Sequence, residues 1–135
     1  EAEVSTRKSI ELNPDFAKTH YNLGIILHDL GNLKEAEISY SKAIQLEPNF
    51  TEAHINLGNI LKDLDNLREA EIFTRKAIQL QPNSADIYLN LGEILKQQGK
   101  SKDAVLCAEK ALKVRPWSIK AMYELTYTCA IESSS

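Results

Sequence analysis

Long apolar runs are missing from this chain of 135 residues; its longest uninterrupted apolar stretches are only a few residues. A helix that crosses a bilayer needs about 20 apolar residues in a row, so no membrane-spanning helix is expected. Charge of one sign is missing as well. The 16 Lys and Arg and 19 Asp and Glu leave a net charge of -3, with both signs interleaved, which is not the basic footprint of a nucleic-acid binder. The opening Glu1-Ala2-Glu3-Val4 lacks the charged-then-apolar pattern of a secretory leader. Cysteine is scarce: Cys107 and Cys129 form no close pair and have no neighbouring histidine. They read as reduced thiols used as small apolar residues, which suits a cytoplasmic protein. What is plentiful is apolar surface, 43% of residues, alongside 26% charged. That composition can build a core and excludes a disordered tail.

Proline is scarce too, yet its positions carry the strongest signal in the chain. Pro14, Pro48, Pro82 and Pro116 stand 34 residues apart. The same offset links Asn22-Leu23-Gly24, Asn56-Leu57-Gly58 and Asn90-Leu91-Gly92, as well as Ala36, Ala70 and Ala104, then Ala43, Ala77 and Ala111. So many unlike residue types on one period mark a structural repeat. Full repeats span 17–50, 51–84 and 85–118. Residues 1–16 match a second half, with Lys8, Ile10, Leu12 and Pro14 in register. Residues 119–135 match a first half, with Thr126 where glycine is expected. One continuous array over 1–135 is the expectation.

Each repeat reads as two amphipathic helices. Leu23, Ile26 and Leu27 and their equivalents recur at three- and four-residue spacing, which gives the first helix one apolar face. Gly31 and Gly99 should end that helix in the left-handed conformation; Asp65 stands at this position in the middle repeat. Asn32 and Glu35, like Asn66 and Glu69, resemble a capping box that opens the second helix. The periodic prolines close it. Gly24 and Ala36 supply the small residues that let the two helices cross closely, while Ala43, Ala77 and Ala111 should face the following repeat.

The string Ala17-Lys18-Thr19-His20-Tyr21-Asn22-Leu23-Gly24, followed by Ala36, Tyr40, Ala43 and Pro48, resembles the tetratricopeptide repeat over essentially the whole chain. Two departures are visible. His20, His54, Tyr88 and Met122 occupy the usual aromatic position of the first helix, and Thr74 and Ala108 follow Tyr40 in the second. Looser local packing is expected there. The resemblance implies an all-α, right-handed α-solenoid (superhelix) of stacked antiparallel helix hairpins, whose first helices line a concave groove for a protein or peptide.

By spacing, that groove would present Tyr21, Asn22, Ile55, Asn56, Asn59, Lys62, Leu89, Asn90, Lys96 and Tyr123. Asn22, Asn56 and Asn90 recur once per repeat, and a primary amide can both donate to and accept from a peptide backbone. Similar asparagine ladders line the repeats of the O-linked N-acetylglucosamine transferases, so a docking arm of a larger enzyme is the alternative expectation. The same amides could instead brace neighbouring helices. Tyr21, Ile55, Leu89 and Tyr123 form an apolar stripe, open to a partner or covered by the next helix. The two-carboxylate clamp of chaperone-binding members is not expected. Tyr21 and Ile25 replace its Lys and Asn in one frame; Ile55 and Glu124 break it in the next, although Asn59, Asn90 and Lys120 fit.

No catalytic, cofactor-binding or metal-ligating constellation is expected. His20 and His54 share a repeat position, but equivalent points on stacked helices lie about 8–10 Å or more apart, while zinc ligands must each approach to about 2 Å. They read as replacements for a packing aromatic. Half-repeats at both ends leave faces uncovered, so self-association is expected, with 119–135 of one molecule completing a repeat with 1–16 of another.

Overall fold

The computed structural model describes residues 1–12 and 15–134, the side chains at 132 and 134 excepted. Pro14, the first of the periodic prolines, lies outside the described residues, as does Ser135 at the end of the last half-repeat. Among the described residues every regular element is a helix: α1 (Ala2–Leu12), α2 (Ala17–Asp29), α3 (Leu33–Leu46), α4 (Thr51–Asp63), α5 (Leu67–Leu80), α6 (Ala85–Gln97), α7 (Ser101–Val114) and α8 (Ile119–Ser134). The helix ends fall where the 34-residue period puts them. The chain divides into two compact units, residues 1–66 and 67–135.

In the first unit α1 packs on α2, α2 on α3 and α3 on α4. Leu23, Leu27, Ala36, Tyr40 and Ala43 are buried, as are Ala53, Leu57, Ile60 and Leu61 of α4. Removing each leucine or isoleucine side chain from water stabilises the fold by about 1.5–3 kcal/mol. The alanines permit this packing because they add no bulk where helices meet. His54 is buried, and its ring Nε2 donates to the Pro48 carbonyl oxygen at 2.8 Å. It fills the aromatic slot and ties α4 to the turn before it.

In the second unit the order repeats: α5 on α6, α6 on α7 and α7 on α8. Leu91, Leu95, Ala104 and Cys107 form one core cluster, with Ile78 packed against it. Ala85, Leu89, Ala111 and Ala121 form another, so Ala111 does meet the helix that follows its repeat. Burial pushes the Cys107 thiol above its usual range, so it packs as a thiol and not as a nucleophile. The loosening expected at Ala108 is slight. The void beside it measures 10 Å³, at the lower limit of what one water occupies. Ser118 opens α8 by accepting the Ala121 N–H at 3.1 Å.

Three helix ends share one design. Gly31 donates to the His28 carbonyl at 3.0 Å and Asn32 to that of Leu27 at 2.8 Å, which is the Schellman pairing. Asp65 with Asn66 and Gly99 with Lys100 repeat it. The first of each pair takes a positive φ: 82° at Gly31, 63° at Asp65 and 81° at Gly99. The capping box expected at Asn32 does not form, since the Asn32 side chain makes no cap hydrogen bond. For the Glu35 half of the box the reason is stoichiometric. The Asn32 N–H, which Glu35 would have to reach, is already bonded to Leu27. Glu35 instead accepts from Arg7 at 2.9 Å.

Candidate partner-binding faces

In the first unit the ring of Tyr21 lies 4.7 Å from that of Phe50 and 5.8 Å from that of Tyr40, centroid to centroid, both tilted. Asn56 joins this cluster. Its Nδ2 donates to the Tyr21 hydroxyl at 3.2 Å and, at the limit of hydrogen-bonding range, lies 3.5 Å from the Tyr40 hydroxyl. Burial pushes the Tyr40 phenol up to about 12, with the nearby Tyr21 adding to the rise and Asn56 opposing it. Tyr21 is raised for the same first reason, desolvation, and the charge of Glu52 contributes. Asn56 therefore braces two helices through their tyrosines.

The other candidates of this unit have more freedom. Asn22 is exposed, while Ile25, Ile55, Asn59 and Lys62 are half-buried. His28 Nε2 lies 4.0 Å from the Asp63 carboxylate, linking α2 with α4. At the entry to α2 and α4 lies a cleft of 660 Å³ bounded by Tyr21, Phe50, Lys18, Asp15, Glu47 and Glu52.

The second unit corrects part of the expected set. Leu89 is 6% exposed and packs with Ala85, Ala111 and Ala121, so it belongs to the core and not to an open stripe; α8 covers it. Asn90 is half-buried. Lys96 is not a free cation: its Nζ lies 2.6 Å from Glu124 Oε2 and 5.5 Å from the Tyr127 ring centroid. Tyr123 is open, 63% exposed, and its ring stacks on Tyr127 at 5.9 Å and 7°. Two aromatic faces and an ion pair thus share the exposed side of α6 and α8.

Two features escaped the sequence reading, although both carry the 34-residue signature. Phe16 and Phe50 recur on the period and give way to Ser84 and Ser118 in later repeats. Val4, Ile38, Ile72 and Leu106 also recur on it, one on each second helix, all more than half exposed. The helical pattern treats the second-helix set as solvated, and the two phenylalanines precede their helices, so neither set stood out as a face.

The Tetratricopeptide repeat models match residues 17–50, 51–84 and 73–105. No curated protein sequence matches significantly. Among solved structures, MamA superposes with a TM-score of 0.93 at 24% identity, over 97% of this chain and 77% of that one. YrrB, described as a TPR protein with an unusual peptide-binding site, gives 0.82 at 24% identity over 94% and 66%. The first TPR of Spaghetti (RPAP3), bound to an HSP90 peptide, gives 0.82 at 20% identity over 87% and 93%. These likenesses establish the fold. With the repeat models together covering residues 17–105, and α2 and α4 beginning where the first two matches begin, the chain belongs to the tetratricopeptide repeat family.

Proposed function

We propose that this chain is a protein-interaction module that holds extended polypeptide against the first helices of its repeats, α2 and α4 in the first unit and α6 and α8 in the second, each unit offering its own face. The observation that carries this reading is the set of side chains those helices leave outside the core. Asn22 and the stacked pair Tyr123 and Tyr127 are open to solvent. Rigid aromatics concentrate binding energy with little loss of side-chain entropy, and amides read backbone without demanding a sequence. The peptide-binding descriptions of two fold relatives, YrrB and the RPAP3 repeat, lend support from outside the chain.

Selection of a displayed random-peptide library on the chain, followed by calorimetry of the selected peptides, tests the reading. Asn22→Ala should weaken peptides bound by the first unit, and Tyr123→Ala those bound by the second, by about tenfold or less, as expected for single contacts worth about 1 kcal/mol. If those variants bind normally while Ile38→Ser or Ile72→Ser does not, the partner uses the second helices and the reading fails.

Self-association of residues 1–135 is a second proposal, supported by the exposure of Trp117 and Ile119 before and at the start of α8 and of Val4 and Leu12 on α1. Sedimentation velocity across a hundredfold concentration range checks it; a constant monomer refutes it.

A further inference from the structure

The cleft at the entry to α2 and α4 has a composition that the partner-binding reading leaves unused. Its wall includes the paired rings of Tyr21 and Phe50, 4.7 Å apart. Around them stand the carboxylates of Asp15, Glu47 and Glu52 and one ammonium, that of Lys18. Several acids elsewhere are matched: Glu3 and Glu35 with Arg7, Glu37 with Lys34, Glu71 with Arg75 and Lys100, Asp86 with Arg115, Glu124 with Lys96. Among the described residues no basic group pairs with any of the three cleft carboxylates. Glu52 is close enough to the Tyr21 phenol for its charge to be felt there.

Two opposing tendencies have to be weighed. Lys18 and the N-terminal turns of α2 and α4 favour an anion; a helix end contributes roughly half a positive charge, felt only within its first turn. Three full carboxylates oppose them, and the faces of aromatic rings carry negative potential that repels anions and attracts cations. The rings and the three carboxylates favour the same ligand sign, and together they outweigh the single ammonium of Lys18 and the partial charges of two helix ends. The volume of 660 Å³ far exceeds one side chain, so a residue of a peptide can enter while its backbone stays outside.

We propose that this cleft receives the cationic side chain, arginine or lysine, of a bound polypeptide, its charge held by Glu47 and Glu52 and its flat or methylene surface resting on the Tyr21 and Phe50 rings. The proposal rests on the reading of the chain as a polypeptide binder and names one feature of the polypeptide it selects. Arginine is the better fit, because its planar guanidinium stacks on a ring while offering two parallel donors to a carboxylate.

The test uses N-acetyl-arginine amide, its uncharged citrulline counterpart and N-acetyl-glutamate, titrated into the chain while the aromatic ring signals of Tyr21 and Phe50 are followed by NMR. The arginine probe is expected to shift both rings saturably, with citrulline weaker by about tenfold or more, as a cation–π contact together with a carboxylate predicts. Glu47→Gln and Glu52→Gln, at exposed or partly exposed positions that the fold does not depend on, should each weaken the arginine probe about threefold. Equal shifts by arginine and citrulline, preference for the glutamate probe, or shifts confined to residues outside the cleft would each overturn the proposal. Selected peptides that still bind the first-helix faces in that case would leave the broader reading intact; loss of both would sink the two together.

Discussion

The ring of Tyr40 lies over Gly24 so closely that a β-carbon there would stand 2.6 Å from Tyr40 Cε1 and 2.7 Å from Cδ1. At the equivalent position of the third repeat, Gly92, a β-carbon would meet only Cys107 Cβ at 3.4 Å and the Ala104 carbonyl oxygen at 3.5 Å. One repeat position thus has two different requirements. The difference follows from the second helix, which carries Tyr40 in the first repeat and Ala108 in the third.

Gly24→Ala should therefore destabilise the chain by about 1–3 kcal/mol, since the Tyr40 ring is buried and cannot swing away. Gly92→Ala should be neutral or stabilise by up to about 1 kcal/mol through helix propensity. Urea denaturation of the two variants, read side by side, checks the opposed signs. Equal losses at both positions would mean that the tyrosine is not the cause.

Asn56 and Asn22 should separate in the same way. Asn56→Ala removes the donor to Tyr21 and leaves a phenol in a partly buried place, for a loss of about 1 kcal/mol. Asn22→Ala, at an exposed site, should leave stability within about 0.5 kcal/mol of the parent. Thermal melts measure both. A destabilised Asn22 variant would show an unseen structural duty for that residue.

Acid should weaken the second unit through Glu71. Burial alone would raise its carboxyl, but hydrogen bonds from Arg75 and Lys100 outweigh this and hold it below the usual range. A depressed folded pKa contributes stability that is complete above the unfolded value, near 4.3, and is lost as pH falls through the folded one. Glu71→Gln should accordingly melt lower than the parent at pH 7, with the gap closing below about pH 4. A gap that stays constant with pH would assign the loss to packing.

Alkali should act on Tyr40 with the opposite sign. Its phenol, pushed up to about 12 by burial, favours the folded chain fully below about pH 10, and this contribution is lost as pH rises from there through the folded value. Ultraviolet titration should show a late-ionising tyrosine that disappears in Tyr40→Phe. Ionisation of every tyrosine near pH 10 would contradict the burial argument.

The repeat period made the helices legible before any coordinates. Proline and left-handed residues are local signals, so Gly31, Asp65 and Gly99 marked helix ends that the structure keeps. Capping at Asn32 was misread, because a one-dimensional motif does not reveal that the same N–H already bonds to Leu27. The binding set was legible only as a face. Spacing placed Tyr21, Leu89 and Lys96 on the first helices alike, yet α8 buries Leu89, Glu124 neutralises Lys96 and Phe50 packs at a tilt against Tyr21.

By itself the sequence determined the period, the helix pairs and the family, since all three depend on residues near one another along the chain and on propensities that act locally. Only the tertiary structure decided which side chains of a helix remain available. That outcome depends on what a distant residue contributes at the same point: Tyr40 over Gly24, Asn56 between two phenols, Glu124 on Lys96. Exposure and charge pairing are properties of packed neighbours, and a residue's place in a repeat leaves them open.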